Sequence, residues 1–180
     1  MGRALLIIDM QQVLVPVVWR GDELVARIAV LAASARMQNV PVVAIQQTGP
    51  AGTPFEPDDP GWQLSTGLGL RESDCRIRKS AIDSFFQSDL GNVLAVRDVD
   101  TVVVTGVATD YCVDATVRSA LSRGLNVELV SDGHAPAAVG NPDAGLAPEQ
   151  IIAHHNVVLS RAVHPGGRLR LVSSADVFSH

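Results

Sequence analysis

Apolar residues in this chain fall in short unbroken runs, separated by segments with a helical spacing. Residues 4–8, 40–45, 101–105 and 126–130 are rich in β-branched side chains and do not alternate with polar ones. Strands buried on both faces have this signature. Residues 75–78 and 156–159 are weaker runs of the same kind. Between the runs the period changes. Leu24, Ile28 and Leu31 share one face of a helix expected over residues 23–37, with Asp22 as its N-cap. A shorter helix is expected over residues 89–96. Residues 112–122 turn Val113, Val117, Ala120 and Leu121 to one side, and Gly124 suits the C-cap. Residues 148–155 open with Pro and Glu, as a helix N-terminus does.

Strands alternating with helices imply βαβ crossovers. The expected fold is a three-layer α/β/α domain with a mostly parallel, Rossmann-like six-stranded sheet. Ligands of such sheets bind beyond the carboxyl ends of the strands, near the topological switch point. That rule selects Asp9, Gln46, Gln47, Lys79 and the segment 106–112. Residues 48–71 are rich in Gly and Pro and lack periodicity, so they read as a lid or pocket wall.

The 180 residues fit one domain spanning 1–180, with 47% hydrophobic and 18% charged positions. A net charge of −5 and the lack of any Lys/Arg cluster argue against a nucleic-acid partner. No apolar run reaches membrane-spanning length, and residues 1–8 are too short and too poor in basic residues for a signal peptide, so a cytoplasmic location and no membrane partner are expected. Two cysteines, Cys75 and Cys112, make neither a disulfide framework nor, alone, a zinc site.

Chemistry concentrates in TGVATDYCVDATVRSALSRG, residues 105–124. Cys112 falls where a helix should begin, and the positive end of the helix dipole and free N–H groups there favour a thiolate. The competing reading is a small buried apolar residue, since free cysteines are commonly inert. Asp9 ends the apolar run LLIID, either as a turn cap or as a carboxylate in a cleft. Lys79, in RIRKSAIDSFF, is by itself a solvated surface lysine as readily as anything else. Together the three differ, because each ends a proposed strand and all would converge on one cleft. A carboxylate that takes the thiol proton, a lysine that balances charge and a helix terminus that holds an oxyanion suffice for acyl transfer.

Three segments carry a resemblance to a known family: LLIIDMQ (5–11), RKSAIDSFF around Lys79, and GVATDYCV (106–113). In order and spacing the chain resembles the isochorismatase-like cysteine hydrolases, which include nicotinamidases and N-carbamoylsarcosine amidases. The resemblance implies a catalytic triad of Asp9, Lys79 and Cys112, a cis peptide between Val107 and Ala108, and an oxyanion hole from the backbone N–H groups of Ala108 and Cys112. It departs in two places. Nicotinamidases carry an Asp-x-His metal motif and another His after the second strand, whereas QQTGPAGTPFEPDDPGWQL contains no His, so neither a metal nor another cofactor is expected. Leu14 stands where the family often has an aromatic residue. The presence of Cys112 favours amide chemistry over the vinyl-ether hydrolysis of isochorismatases that lack the cysteine. GTPFEPDDPGWQL is also similar to a metal-free subgroup that includes streptothricin hydrolases.

The reading is a hydrolase that cleaves a small non-peptide amide through a thioester on Cys112. The alternatives are a vinyl-ether hydrolase and a catalytically silent binding protein on the same fold. The partner is a small-molecule substrate, and a homo-oligomer is expected from apolar content and the resemblance. Gln11 would steady the Asp9 carboxylate or the substrate. Phe55 and Trp62, aromatic residues in a polar loop, would line the pocket or an oligomer interface. His134 would be a pocket residue or part of a turn. Cys75 reads as structural, and His154 and His155 point about 100° apart on a helix, so they would not share an ion.

Overall fold

The computed structural model describes residues 2–179; the end residues 1 and 180 of the expected domain lie outside the described residues. Six parallel strands form one sheet in the order β3-β2-β1-β4-β5-β6. They are β1 (Gly2–Ile8), β2 (Val42–Gln47), β3 (Cys75–Lys79), β4 (Val99–Val107), β5 (Asn126–Ala135) and β6 (Leu169–Val172). The helices are α1 (Gly21–Met37), α2 (Leu90–Val96), α3 (Asp114–Ser122) and α4 (Pro148–Arg161). The expected three-layer fold is the one observed.

The pleat of β1 divides the core. Leu5 and Ile7 pack on one side with Leu24, Ile28 and Leu31 of α1. Ala4, Leu6 and Ile8 face the other way, against Leu90 and Leu94 of α2, Val117 and Leu121 of α3, and Leu159 of α4. Burial on both faces is why these strands show no alternation. β1 lies between β2 and β4, so the chain leaves it in opposite directions and a crevice opens beyond its carboxyl end.

Several expectations on boundaries need correction. The sixth strand is Leu169–Val172, and residues 156–159 lie inside α4. NVVL has a strand-like composition, but the helix begun at Pro148 continues through it, and the turn HPGG follows before β6. Asp22 is not the N-cap of α1. That position belongs to Arg20, in a left-handed conformation, and Asp22 and Glu23 lie in the first turn, where they face the positive end of the dipole. β5 extends to Ala135, with an irregularity in its pairing to β4 between the Val104 and Gly106 positions. His134 is therefore a strand residue rather than part of a following turn. Residues 48–71 are fastened rather than free in their second half. Gln12 and Val13 donate to Gln63 and Gly61 carbonyls, Ser65 donates to the Met10 carbonyl, and Leu64 and Leu68 are core residues.

Gly106 sets the approach of β4 to β1. Its φ is 117°, and a Cβ there would lie 2.1 Å from the Ile8 carbonyl oxygen and 2.6 Å from the Ile8 nitrogen. Both obstacles are backbone at the centre of the sheet, so neither yields cheaply. Gly106→Ala is expected to destabilise the protein by about 3 kcal/mol or more. Urea unfolding measures this, and a loss below about 1 kcal/mol would contradict it.

Candidate active site

Asp9 follows directly from β1 at the switch point. Its φ of 52° is left-handed, uncommon for a residue with a side chain. Its N–H donates to the Ile45 carbonyl at 3.0 Å, which ties it to β2. Lys79 is the last residue of β3, and β2 separates it from β1. Its side chain crosses the end of β2 and brings Nζ to 2.7 Å from Asp9 Oδ2. Beside this ion pair, the three N–H groups of the ammonium donate to Gln47 Oε1 at 2.7 Å, the Ala81 carbonyl at 3.1 Å and Cys112 Sγ at 3.4 Å. Asp9 and Lys79 are both buried, 1% and 2% exposed. The three strand-end groups expected to converge from the sequence are in contact.

Cys112 is delivered by the end of β4. The Val107–Ala108 peptide is cis. Thr109–Val113 then form a π-helical turn in which Tyr111 and Val113 N–H groups donate to the Ala108 carbonyl at 3.2 and 3.1 Å. Ser84 braces this region: its N–H and hydroxyl meet Thr116 Oγ1 of α3, at 3.1 and 2.8 Å. The segment after Lys79 and the helix after Cys112 are thus joined.

The electrostatics correct the expectation of a resting thiolate. Cys112 lies within the turn, two residues ahead of α3. Burial, then the negative charge of Asp9, push its thiol up to about 12, and Lys79 opposes them only partly. Burial likewise raises the Asp9 carboxyl above its usual range, against the charge and hydrogen bond of Lys79 and smaller contributions from Cys112 and the Gln47 N–H. The resting nucleophile candidate is a neutral thiol beside a carboxylate of increased basicity.

His134 holds the turn from behind. Asn156 Nδ2 donates to the Ser131 carbonyl at 3.0 Å, so its Oδ1 accepts from His134 Nε2, also at 3.0 Å. His134 Nδ1 is then the acceptor for the Thr109 hydroxyl at 2.9 Å. Burial lowers the imidazole to about 4, so it is neutral. A cavity of about 330 Å³ opens beside it, lined by Trp19, Arg27, Ile152 and Asn156 among others, and the triad residues do not line it.

The remaining candidates lie around the loop. The Gln11 amide is fully engaged with backbone: Nε2 donates to Gln47 and Trp62 carbonyls at 3.0 and 2.8 Å, and Oε1 accepts from the Gln47 N–H at 2.9 Å. Trp62 is buried, with Arg78 stacked 4.8 Å over its ring and no partner for its indole N–H. Phe55 is half-buried, and its carbonyl accepts from the Gly49 N–H at 2.8 Å. Cys75 is a half-buried free thiol on β3, and His154 and His155 make an edge-on ring contact on α4. Among the described residues, no group of three or more His, Cys, Asp or Glu side chains is placed to hold a metal ion. The end of β2 offers the amides Gln46 and Gln47, followed by the hydroxyl of Thr48, where a nicotinamidase has its Asp-x-His ligands, so a metal of that kind does not fit. No helix among the described residues is long and apolar enough to cross a membrane. Sequence reasoning left Gln47 without a role and missed the Thr109–His134–Asn156 chain. Strand order supplies the missing signal, because Gln47 and Lys79 are register partners.

The isochorismatase domain profile matches residues 3–159, nearly the whole length. The chain belongs to the isochorismatase family. It is 34% identical over 148 residues to a streptothricin hydrolase of Streptomyces noursei, covering 78% of this chain. The chain spans only 59% and 49% of the two streptothricin hydrolases it matches. A ureidoacrylate amidohydrolase of Caulobacter vibrioides is 37% identical over 57 residues, 32% of this chain and 25% of that one. The crystal structure of an isochorismatase from Pseudomonas putida KT2440 has a TM-score of 0.85 at 26% identity, covering 97% of this chain and 89% of that one. The chain is thus an isochorismatase-family protein with streptothricin hydrolases and a ureidoacrylate amidohydrolase among the proteins it is similar to.

The site makes two stability predictions. Lys79→Met leaves the Asp9 carboxylate buried without its cation and is expected to cost about 3–5 kcal/mol. Adding Asp9→Asn removes the orphaned charge, so the double variant should be more stable than Lys79→Met alone. Urea unfolding of the wild type, Lys79→Met, Asp9→Asn and the double variant decides it; a double variant as unstable as the sum of both single changes would sink the idea.

His134 gives a pH dependence. Its pKa is lowered on folding, so below its ordinary value of 6.5 the unfolded chain takes up a proton that the folded chain resists. The associated stability is fully present above pH 6.5 and is lost as pH falls toward about 4, in total about 3 kcal/mol. Unfolding measured between pH 7 and 4 should show this decline, and His134→Gln should flatten it. An equally steep decline in His134→Gln would assign it to other groups.

Proposed function

We propose that this protein is a cysteine-dependent amidohydrolase, cleaving a small non-peptide amide through a thioester on Cys112. The observation that carries the reading is the single buried ammonium of Lys79 in reach of both Asp9 Oδ2 and Cys112 Sγ. The Sγ proton passes to Asp9, and the ammonium then has the thiolate as its negative partner in place of the carboxylate. As the thiolate attacks the substrate carbonyl carbon, the charge moves from sulfur to the carbonyl oxygen. The oxygen of the tetrahedral intermediate is held by the backbone N–H groups of Ala108 and Cys112. Asp9 returns the proton to the leaving nitrogen, the C–N bond breaks, and a thioester remains. Water then attacks that carbonyl, giving one proton to Asp9. The C–S bond breaks, the acid leaves, and the proton on Asp9 restores the thiol. The half-exposed position of Cys112 allows substrate to approach. The amidohydrolase named among the relatives supports scission of a C–N bond.

The reading is tested on a panel of small amides in chelated buffer, with ammonia or amine release as the readout. Asp9→Asn should lower turnover about 10²–10⁴-fold. Cys112→Ala should be at least as severe, and Cys112→Ser close to it, since Asp9 is too weak a base for a serine hydroxyl. The losses in combined variants should not add, because the groups act as a unit. Mass spectrometry of a quenched reaction should find the acyl group on the Cys112 peptide. Near-normal turnover by Cys112→Ala would eliminate the covalent route. No turnover of any amide by the wild type would favour the binding-protein alternative.

A further inference from the structure

Lys79 cannot meet Asp9 directly across the sheet. Neighbouring strands are roughly 4.8 Å apart, so β3 and β1 are separated by about 10 Å, with β2 between them. The ammonium therefore has to rest above the end of β2, and the residue there is Gln47, the register partner of Lys79. Its Oε1 lies 2.7 Å from Nζ, as close as Asp9 Oδ2. Lysine only donates, so the oxygen of the amide faces it, and Gln47 Nε2 donates away, to the Thr48 carbonyl at 3.3 Å. The backbone under this amide is itself fixed. Gln11 receives the Gln47 N–H and donates to the Gln47 carbonyl, closing a two-bond clamp between the end of β2 and the segment after β1.

We infer that Gln47, clamped by Gln11, is a positioning residue that holds the Lys79 ammonium between Asp9 and Cys112. The inference deepens the acyl-transfer reading and rests on it for the roles of those three groups. Neutrality is the second half of the role. The charged groups around the amide are Asp9 from β1, Lys79 from β3 and, once ionised, Cys112 from the turn. An amide oxygen fixes the ammonium without competing for its charge. A carboxylate of the same shape would add a second anion to a site with one cation, and would oppose ionisation of the thiol.

The test is alkylation of Cys112 by iodoacetamide followed across pH by peptide mass spectrometry, with Cys75 as the internal reference. Alkylation forms the C–S bond, expels iodide and releases the thiol proton, so its pH profile reports how readily Cys112 ionises. Gln47→Glu should move the Cys112 profile upward by about one pH unit or more. Gln47→Met should slow labelling about 10- to 100-fold at a fixed pH through loss of a charged hydrogen bond. Labelling of Cys75 should be unchanged in both. Wild-type Cys112 profiles in both variants would overturn the inference. If Gln47→Met fails to fold, Gln47→Glu, which keeps the shape, decides alone. Turnover by Cys112→Ala would overturn the acyl-enzyme reading instead, while the alkylation profiles would still report the hold of Gln47 on Lys79.

Discussion

An ammonium buried in protein needs a negative partner close at hand, and the site is organised around that need for Lys79. A charge out of water without compensation costs several kcal/mol, far more than an ordinary contact contributes. Asp9 supplies the partner at 2.7 Å. With that pair formed, the site is neutral, and a thiolate on Cys112 would be one negative charge too many. Burial, and then this surplus of negative charge, keep the thiol protonated, pushed up to about 12 although a lysine lies 3.4 Å from its sulfur. Moving the proton from sulfur to carboxylate changes the anion that faces Lys79 and leaves the total charge unchanged. The transfer therefore avoids the electrostatic cost that either group would meet by ionising alone.

The fold brings the partners together through strand order more than through any one segment. Asp9 and the Cys112 turn leave adjacent central strands, β1 and β4, where the crossovers diverge. Gly106 permits the close approach of β4 to β1, and Asp9 accepts a left-handed backbone just beyond. The side opposite Lys79 is held by the neutral His134, which accepts from Thr109 in the turn and donates to Asn156 on α4. The turn is thus braced on one side by a charged cluster and on the other by a neutral hydrogen-bond chain.

Sequence made the sheet legible because its strands are buried on both faces, and residues 4–8 could hardly be anything else. It made Asp9 and Lys79 legible because each ends a proposed strand, and Cys112 because it follows one where a helix should begin. It failed where composition and context disagree. Residues 156–159 have strand-like side chains, yet they continue a helix already begun at Pro148 and present Val157 and Val158 to the surface. The environment of Cys112 was also hidden. Its position before a helix suggests a lowered pKa, but burial of the thiol, and then a carboxylate 103 positions away in the chain, reverse the effect. Long-range electrostatics of that kind depends on which strands are neighbours, and local pattern does not encode it. Gln47 was selected by its strand-end position but given no role for the same reason, since an amide there acquires meaning only from Lys79 beside it.

In the proposed acyl transfer, Asp9 as base also accounts for three ionisable groups where two would otherwise serve. A histidine that accepts a thiol proton becomes a cation and so stabilises the thiolate it has made. An aspartate that does so becomes neutral and leaves the thiolate without a counterion in a buried site. A carboxylate base therefore demands a separate, permanent cation within reach of both proton donor and proton acceptor. In a parallel sheet the strand ends offer few such places, and β3 reaches the site only over the end of β2. Lysine has the length to make that crossing, and its tetrahedral ammonium distributes several donors among unlike acceptors. Arginine, with a planar fork of fixed geometry, would match a carboxylate well but a carboxylate, an amide and a sulfur together poorly. Under the proposed mechanism, the identity of Lys79 follows from the position of β3 in the sheet together with the use of a carboxylate as base.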